Sequence, residues 1–140
     1  MSTPHPQFLP ACRELLGVRW RHLGRQPWAL DCIGLIVLAL RACGREVADR
    51  NDYGRDPQRD GLAQALRAEF GQPVAEWIHG GIALIRWPGA ELPAHVGVLA
   101  RDGEQWRLIH SYSSPGCVVE HRVDEHWRGL IVEVFDPWRS

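Results

Sequence analysis

The apolar positions of the chain change their period near residue 80, and the elements they predict change with them. "PACRELLG" predicts a short helix over 10–17 that stops at Gly17. "DCIGLIVLALRACG" predicts a second, from Asp31 to about Cys43, with Gly44 as its stop. Ile33, Leu35, Ile36, Val37, Leu38 and Leu40 leave that helix apolar nearly all round, so it belongs in the interior. "ADRNDYGRDP", residues 48–57, reads as a polar loop. "PQRDGLAQALRAEFG" returns to helical spacing through Leu62, Ala65, Leu66 and Phe70, and Gly71 closes it.

After that the runs shorten and strands follow. They are expected at 80–87, 94–101, 105–112, 116–123 and 129–135, with a capped helical turn at "DEHW", 124–127. Asp102-Gly103 is a tight-turn signal that joins 94–101 and 105–112 into a hairpin. Helices first and an antiparallel sheet afterwards define an α+β domain, with the central helix laid over one face of the sheet.

Composition narrows the function. The length of 140 residues suits one domain over 1–140 with a substantial core. A formal net charge of −1 provides no broad basic surface, so neither nucleic acid nor an anionic membrane is an expected partner. "CIGLIVLAL" is about half the length of a membrane span, so membrane insertion is not expected. The opening "MSTPHPQFLPAC" lacks the basic and apolar regions of a secretory signal, so synthesis as a cytoplasmic protein is expected. Cys12, Cys32, Cys43 and Cys117 form no C-x-x-C pair, and a disulfide framework is not expected. Of the seven tryptophans, most should pack in or beside the core.

Candidate chemistry gathers on three residues. Cys32 opens the buried helix, where unpaired backbone N–H groups and the helix dipole favour a thiolate. A turn centred on Asp102-Gly103 sets His95 opposite His110, with Cβ atoms about 5 Å apart on one face of the hairpin. If the helix packs on that face, a Cys–His–His line results. His95 would pair with the thiolate as an imidazolium and later protonate a leaving amine, while His110 would orient the His95 ring. Backbone N–H groups at the helix start would bind an oxyanion. The chemistry indicated is acyl transfer at a carbonyl, most simply amide hydrolysis. A slip in register would bring His121 to the place of His110.

"DCIGL", then "HVGVL", then "LIHSY", in this order, resemble the NlpC-type cysteine peptidases, a branch of the papain-like superfamily. "GVRWRHLGRQPWAL" is similar to the run which that family places before its nucleophile, and "GGIALIRW" to the strand before its histidine. The resemblance spans about Gly17 to Pro137. It implies a papain-like fold with Cys32 as nucleophile, His95 as base and His110 as third member, and no cofactor. The implied partner is a peptidoglycan stem peptide, cut between D-γ-glutamate and the diamino acid. The short form with "DCIGL" resembles most the phage-tail and gene-transfer-agent peptidases, which implies a virion tail as carrier and partner. Ile33 stands where Ser is common, Trp20 where Tyr is common, and no Asp follows Gly81. Trp20, Trp28 and Asp31 are the substrate-binding candidates, Asp31 doubling as a helix cap.

Two other readings stay open at this level. Cys32, His95 and His110 match the ligand types of a catalytic zinc site with one open position, although no metal is the first expectation. The same fold could also serve as a weakly active or inactive tail-assembly component.

Overall fold

The computed structural model describes residues 5–49 and 61–139, and the chain runs from one helix through three two-residue strands and two further helices into the long strands of the sheet, with a last helix before the final strand. Most of the expected 48–57 loop and the start of the expected 57–71 helix lie outside the described residues. The helices are α1 (Phe8–Glu14), α2 (Cys32–Ala42), α3 (Leu62–Phe70) and α4 (Glu125–Leu130). The strands are β1 (Arg19–Trp20), β2 (Arg25–Gln26), β3 (Ala29–Leu30), β4 (Ile82–Ile85), β5 (His95–Asp102), β6 (Gln105–Tyr112), β7 (Cys117–Arg122) and β8 (Ile131–Phe135). They form one sheet in the order β2-β3-β1-β7-β6-β5-β4-β8, in which, among the described residues, only the β1–β3 pair is parallel. The α+β expectation holds. Among the described residues no helix is long and apolar enough to cross a membrane.

Local chemistry explains the boundaries. The Asp31 carboxylate accepts from the Gly34 N–H at 2.8 Å and starts α2, and Gly44 at φ +81° ends it. Helix α1 begins two residues before Pro10, because the ring is tolerated in a first turn whose N–H groups have no helical acceptor. The two-residue strands β1 to β3 have no periodicity to read and were not expected.

The sheet divides the core in two. Leu35, Ile36, Ala39 and Leu40 of α2 pack with Val96, Val98, Ala100 and Ile109 on one face. Ala83, Ile85, Leu99 and Leu108 cover the other face, against Trp87, Trp106 and Trp127. His95 pairs with Ile85 and shares the second face with it. The condition that the helix packs on the histidine-bearing face is therefore not met: α2 lies on the opposite one. Val96, Val98 and Ala100 alternate with the histidine position and give that face the apolar surface the helix needs.

The hairpin register is corrected as well. Asp102 pairs with Gln105, so the turn residues are Gly103-Glu104, with Gly103 at φ +63° as a type II′ turn requires of its first central residue. Continuing the register past Val98–Ile109 sets His110 abreast of Gly97 and His95 abreast of Tyr112. The offset is two residues, an even number, so both histidines keep the same face. His95 and His110 are diagonal neighbours rather than direct partners.

Gly34 controls the start of α2. A Cβ there would fall 2.2 Å from the Gly24 carbonyl oxygen, in a loop whose Leu23 N–H is bound by Asp31 at 3.0 Å. The group it meets is backbone and can move away only if the loop shifts. Gly34→Ala is expected to destabilise the protein by about 1–3 kcal/mol in chemical denaturation.

Candidate active site

Cys32 is the first residue of α2, and His95 the first of β5. Both line one cavity of about 310 Å3, together with Trp20, His22 and Asp31. Trp87, Ala94 and Tyr112 line it too, and Ser111, Ser113 and Ser114 complete the lining. The cysteine lies beside the start of β5 rather than over the face of the sheet that carries the histidines. The N–H groups of Ile33 and Val96 hydrogen-bond its sulfur, and Val96 is the neighbour of His95. Among the described residues no hydrogen bond joins the sulfur to His95; what the two share is the cavity.

The second link is direct. His95 Nε2 and His110 Nδ1 are 2.7 Å apart, both rings buried. Trp87 stacks on His95 with centroids 4.8 Å apart, and Tyr112 on His110 at 4.5 Å. Gly97 makes room, since a Cβ there would lie 3.1 Å from the His110 Cβ and 2.8 Å from Leu108.

Burial decides the charge state at rest. It pushes the Cys32 thiol up to about 12, helped by the neighbouring Asp31 charge and opposed by the two N–H donors and Arg25. It pulls His95 down to about 3, and His110 to about 2, the latter also through repulsion from His95 and His121. The sequence predicts a thiolate–imidazolium pair from the helix start. The structure instead favours a neutral thiol and a neutral imidazole, because both charged forms are desolvated and the helix-start donors do not compensate.

The substrate-binding candidates divide. Trp20 and Asp31 line the cavity. The Asp31 carboxylate is itself held by the Gly34 and Leu23 N–H groups and by Arg25 Nη1 at 2.9 Å, which makes it a cap and an ion-pair partner. Trp28 is 70% exposed and is not part of the cavity lining: its neighbours Ala29 and Leu30 pair in β3 and are buried, while the indole is left outward. His22, in the turn before β2, is in the lining, as are Trp87 and Tyr112. Tyr112 was legible, since it follows His110 at strand spacing; His22 and Trp87 had no comparable signal. His121 does not replace His110 but extends it, with the two Nε2 atoms 2.8 Å apart.

The zinc reading meets an obstacle in this geometry. His95 Nε2 and His110 Nδ1 point at each other across a hydrogen bond, not at a common third point. Among the described residues no group of three or more His, Cys, Asp or Glu is arranged to hold a metal ion.

Comparison with known proteins places the fold. No family model and no curated protein matches the chain. Solved structures do. An NLP/P60-family protein described as similar to lipoprotein, from Staphylococcus aureus, superposes with TM-score 0.69 at 12% identity, over 99% of this chain and 44% of that one. An NlpC/P60 family protein from Bacillus cereus gives TM-score 0.68 at 16% identity, over 99% and 42%. The NlpC/p60 domain of the peptidoglycan hydrolase SagA gives 0.63 at 18%, over 96% of this chain and 99% of that domain. The chain thus spans less than half the length of the first two and nearly all of the third. The architecture is that of the NlpC/P60 proteins, the papain-like fold that the sequence predicts.

Proposed function

We propose that the chain is a cysteine peptidase that hydrolyses an amide bond in peptidoglycan stem peptides, between D-γ-glutamate and the diamino acid. One observation carries this reading: a helix-start cysteine and a strand-start histidine line the same cavity, and a second histidine holds the far nitrogen of the first at 2.7 Å. That this occurs on the fold of a peptidoglycan hydrolase domain supports the substrate class. No cofactor is required by this chemistry.

The steps follow from the geometry. With His95 Nε2 engaged by His110, Nδ1 is the nitrogen left to take the thiol proton. The pair is neutral at rest, so proton transfer accompanies attack, and catalytic contacts of this kind commonly tighten only when substrate is bound. The Cys32 sulfur adds to the scissile carbonyl carbon, and the oxyanion is received by N–H groups at the start of α2. The His95 imidazolium then protonates the departing amine and a thioester remains on Cys32. Water, deprotonated by His95, releases the γ-glutamyl product and restores the thiol. Trp20, His22 and Tyr112, with the serines of the lining, would hold the stem peptide.

Mass spectrometry of stem-peptide fragments after incubation tests the reading. Expected are two products that divide at the γ-glutamyl–diamino acid bond. A split elsewhere would overturn the assigned bond. Fragments identical to those left by a Cys32→Ala control would leave the scaffold reading, a tail component without turnover. The proposed carrier, a virion tail or gene-transfer-agent particle, rests on the sequence resemblance, and detection of the chain in purified particles tests it.

A further inference from the structure

The histidine pair does not end at His110. His110 Nε2 is 2.8 Å from His121 Nε2 on β7, and His121 Nδ1 is 2.9 Å from the carbonyl oxygen of Arg122. That last contact fixes a direction. A carbonyl oxygen only accepts, so His121 Nδ1 must carry the proton, and in the neutral ring its Nε2 is an acceptor. His110 therefore donates from Nε2, its Nδ1 has no proton, and it accepts from the Nε2–H of His95. The remaining nitrogen, His95 Nδ1, is left with its lone pair. Reversing the direction would require either a lost hydrogen bond at Arg122 or a second proton on His121.

We infer that His121 is a positioning residue: anchored by the Arg122 carbonyl, it sets the tautomer of His110 and, through it, that of His95. It touches neither the cavity nor any reacting atom. Its surroundings suit the task. Trp127 lies over His121 with centroids 4.7 Å apart and meets the His110 ring edge-on at 5.1 Å. Trp127 is itself placed by Asp124, which accepts its N–H at 3.0 Å at the start of α4. Half-buried His121 is thus held at the outer end of a file of rings whose inner members are buried. A neutral imidazole carries its one N–H on either Nδ1 or Nε2, and without an anchor the file of rings would divide between the two tautomers. Only one leaves His95 Nδ1 able to accept a proton.

The effect on turnover rests on the peptidase reading, whereas the tautomer assignment does not, so the test has two arms. In the first, nitrogen-15 NMR of histidine-labelled protein at neutral pH reads the protonated nitrogen of each ring. Expected in the wild type is Nε2–H on His95 and His110 and Nδ1–H on His121; Nδ1–H on His95 or His110 would overturn the inference without any variant. His121→Leu should then mix the tautomers of His110, and His121→Gln, whose side-chain oxygen can accept in place of the imidazole nitrogen, should restore Nε2–H. In the second arm, kcat for stem-peptide hydrolysis should fall about tenfold in His121→Leu with KM unchanged, and recover in His121→Gln, the scale on which outer partners of an oriented histidine act. Equal tautomer populations and equal kcat in wild type and His121→Leu would overturn the role. If the wild type hydrolyses nothing, the peptidase reading fails and the NMR arm still decides the tautomer.

Discussion

Cys32→Ala lowers the rate of stem-peptide hydrolysis by about 10⁴-fold or more, and His95→Ala by a comparable factor, with the fold intact in both. Neither residue can compensate for loss of the other. Without the sulfur there is no thioester, and without the imidazole a thiol held near 12 has no acceptor for its proton at neutral pH. The two effects should therefore not add: the double variant should be no slower than the slower single one, as expected for residues that act as a unit. His110→Ala should cost less, about 10²-fold, because nucleophile and base remain while the orientation of the His95 ring is lost. Steady-state kinetics on one purified stem peptide, with folding checked by circular dichroism, measures the series. Additive losses, or a His110→Ala variant as inactive as Cys32→Ala, would contradict these roles.

Acid should destabilise the protein well before its carboxylates titrate. An unfolded imidazole takes up its proton near pH 6.5, whereas folded His95 resists until about 3 and His110 until about 2. Between these limits the unfolded chain binds protons that the native chain does not, so stability falls as pH falls. For two such histidines the loss between pH 7.5 and pH 5 amounts to about 4 kcal/mol, close to a third or more of a typical domain's total stability. His95→Gln removes one of the two groups and should reduce that loss to about 2 kcal/mol. Urea unfolding at the two pH values provides the comparison. Equal stability at both would mean that the rings are solvated and charged, contrary to their burial in the sheet.

The large elements were legible because their signals are local. Asp31 and Gly44 bound an apolar run that can only be an interior helix, and β5 to β7 are short runs set apart by Gly and Pro turns. The triad candidates were legible because helix start and strand face are one-dimensional properties. What failed was whatever depends on packing. The hairpin shifted by two residues because the type II′ turn takes Gly103 as its first central residue, a choice that Asp102-Gly103 and Gly103-Glu104 present almost equally. The helix chose the face of Val96 and Val98 because that face is apolar, which the position of the histidines did not disclose. The neutral resting charge was hidden for a related reason: the dipole of α2 is a local property, while desolvation of Cys32 and His95 is set by everything that closes over them. Trp28 illustrates the same limit, since its neighbours Ala29 and Leu30 are buried in β3 while its indole stays in solvent.

Trapping the covalent intermediate examines the nucleophile itself. The protein is mixed with stem peptide, quenched in acid during turnover, digested and mapped by mass spectrometry. The expected result is a γ-glutamyl fragment in thioester linkage on the peptide that carries Cys32. An acyl group mapped to any other residue, or product formed at the wild-type rate by a chain lacking that sulfur, would contradict it.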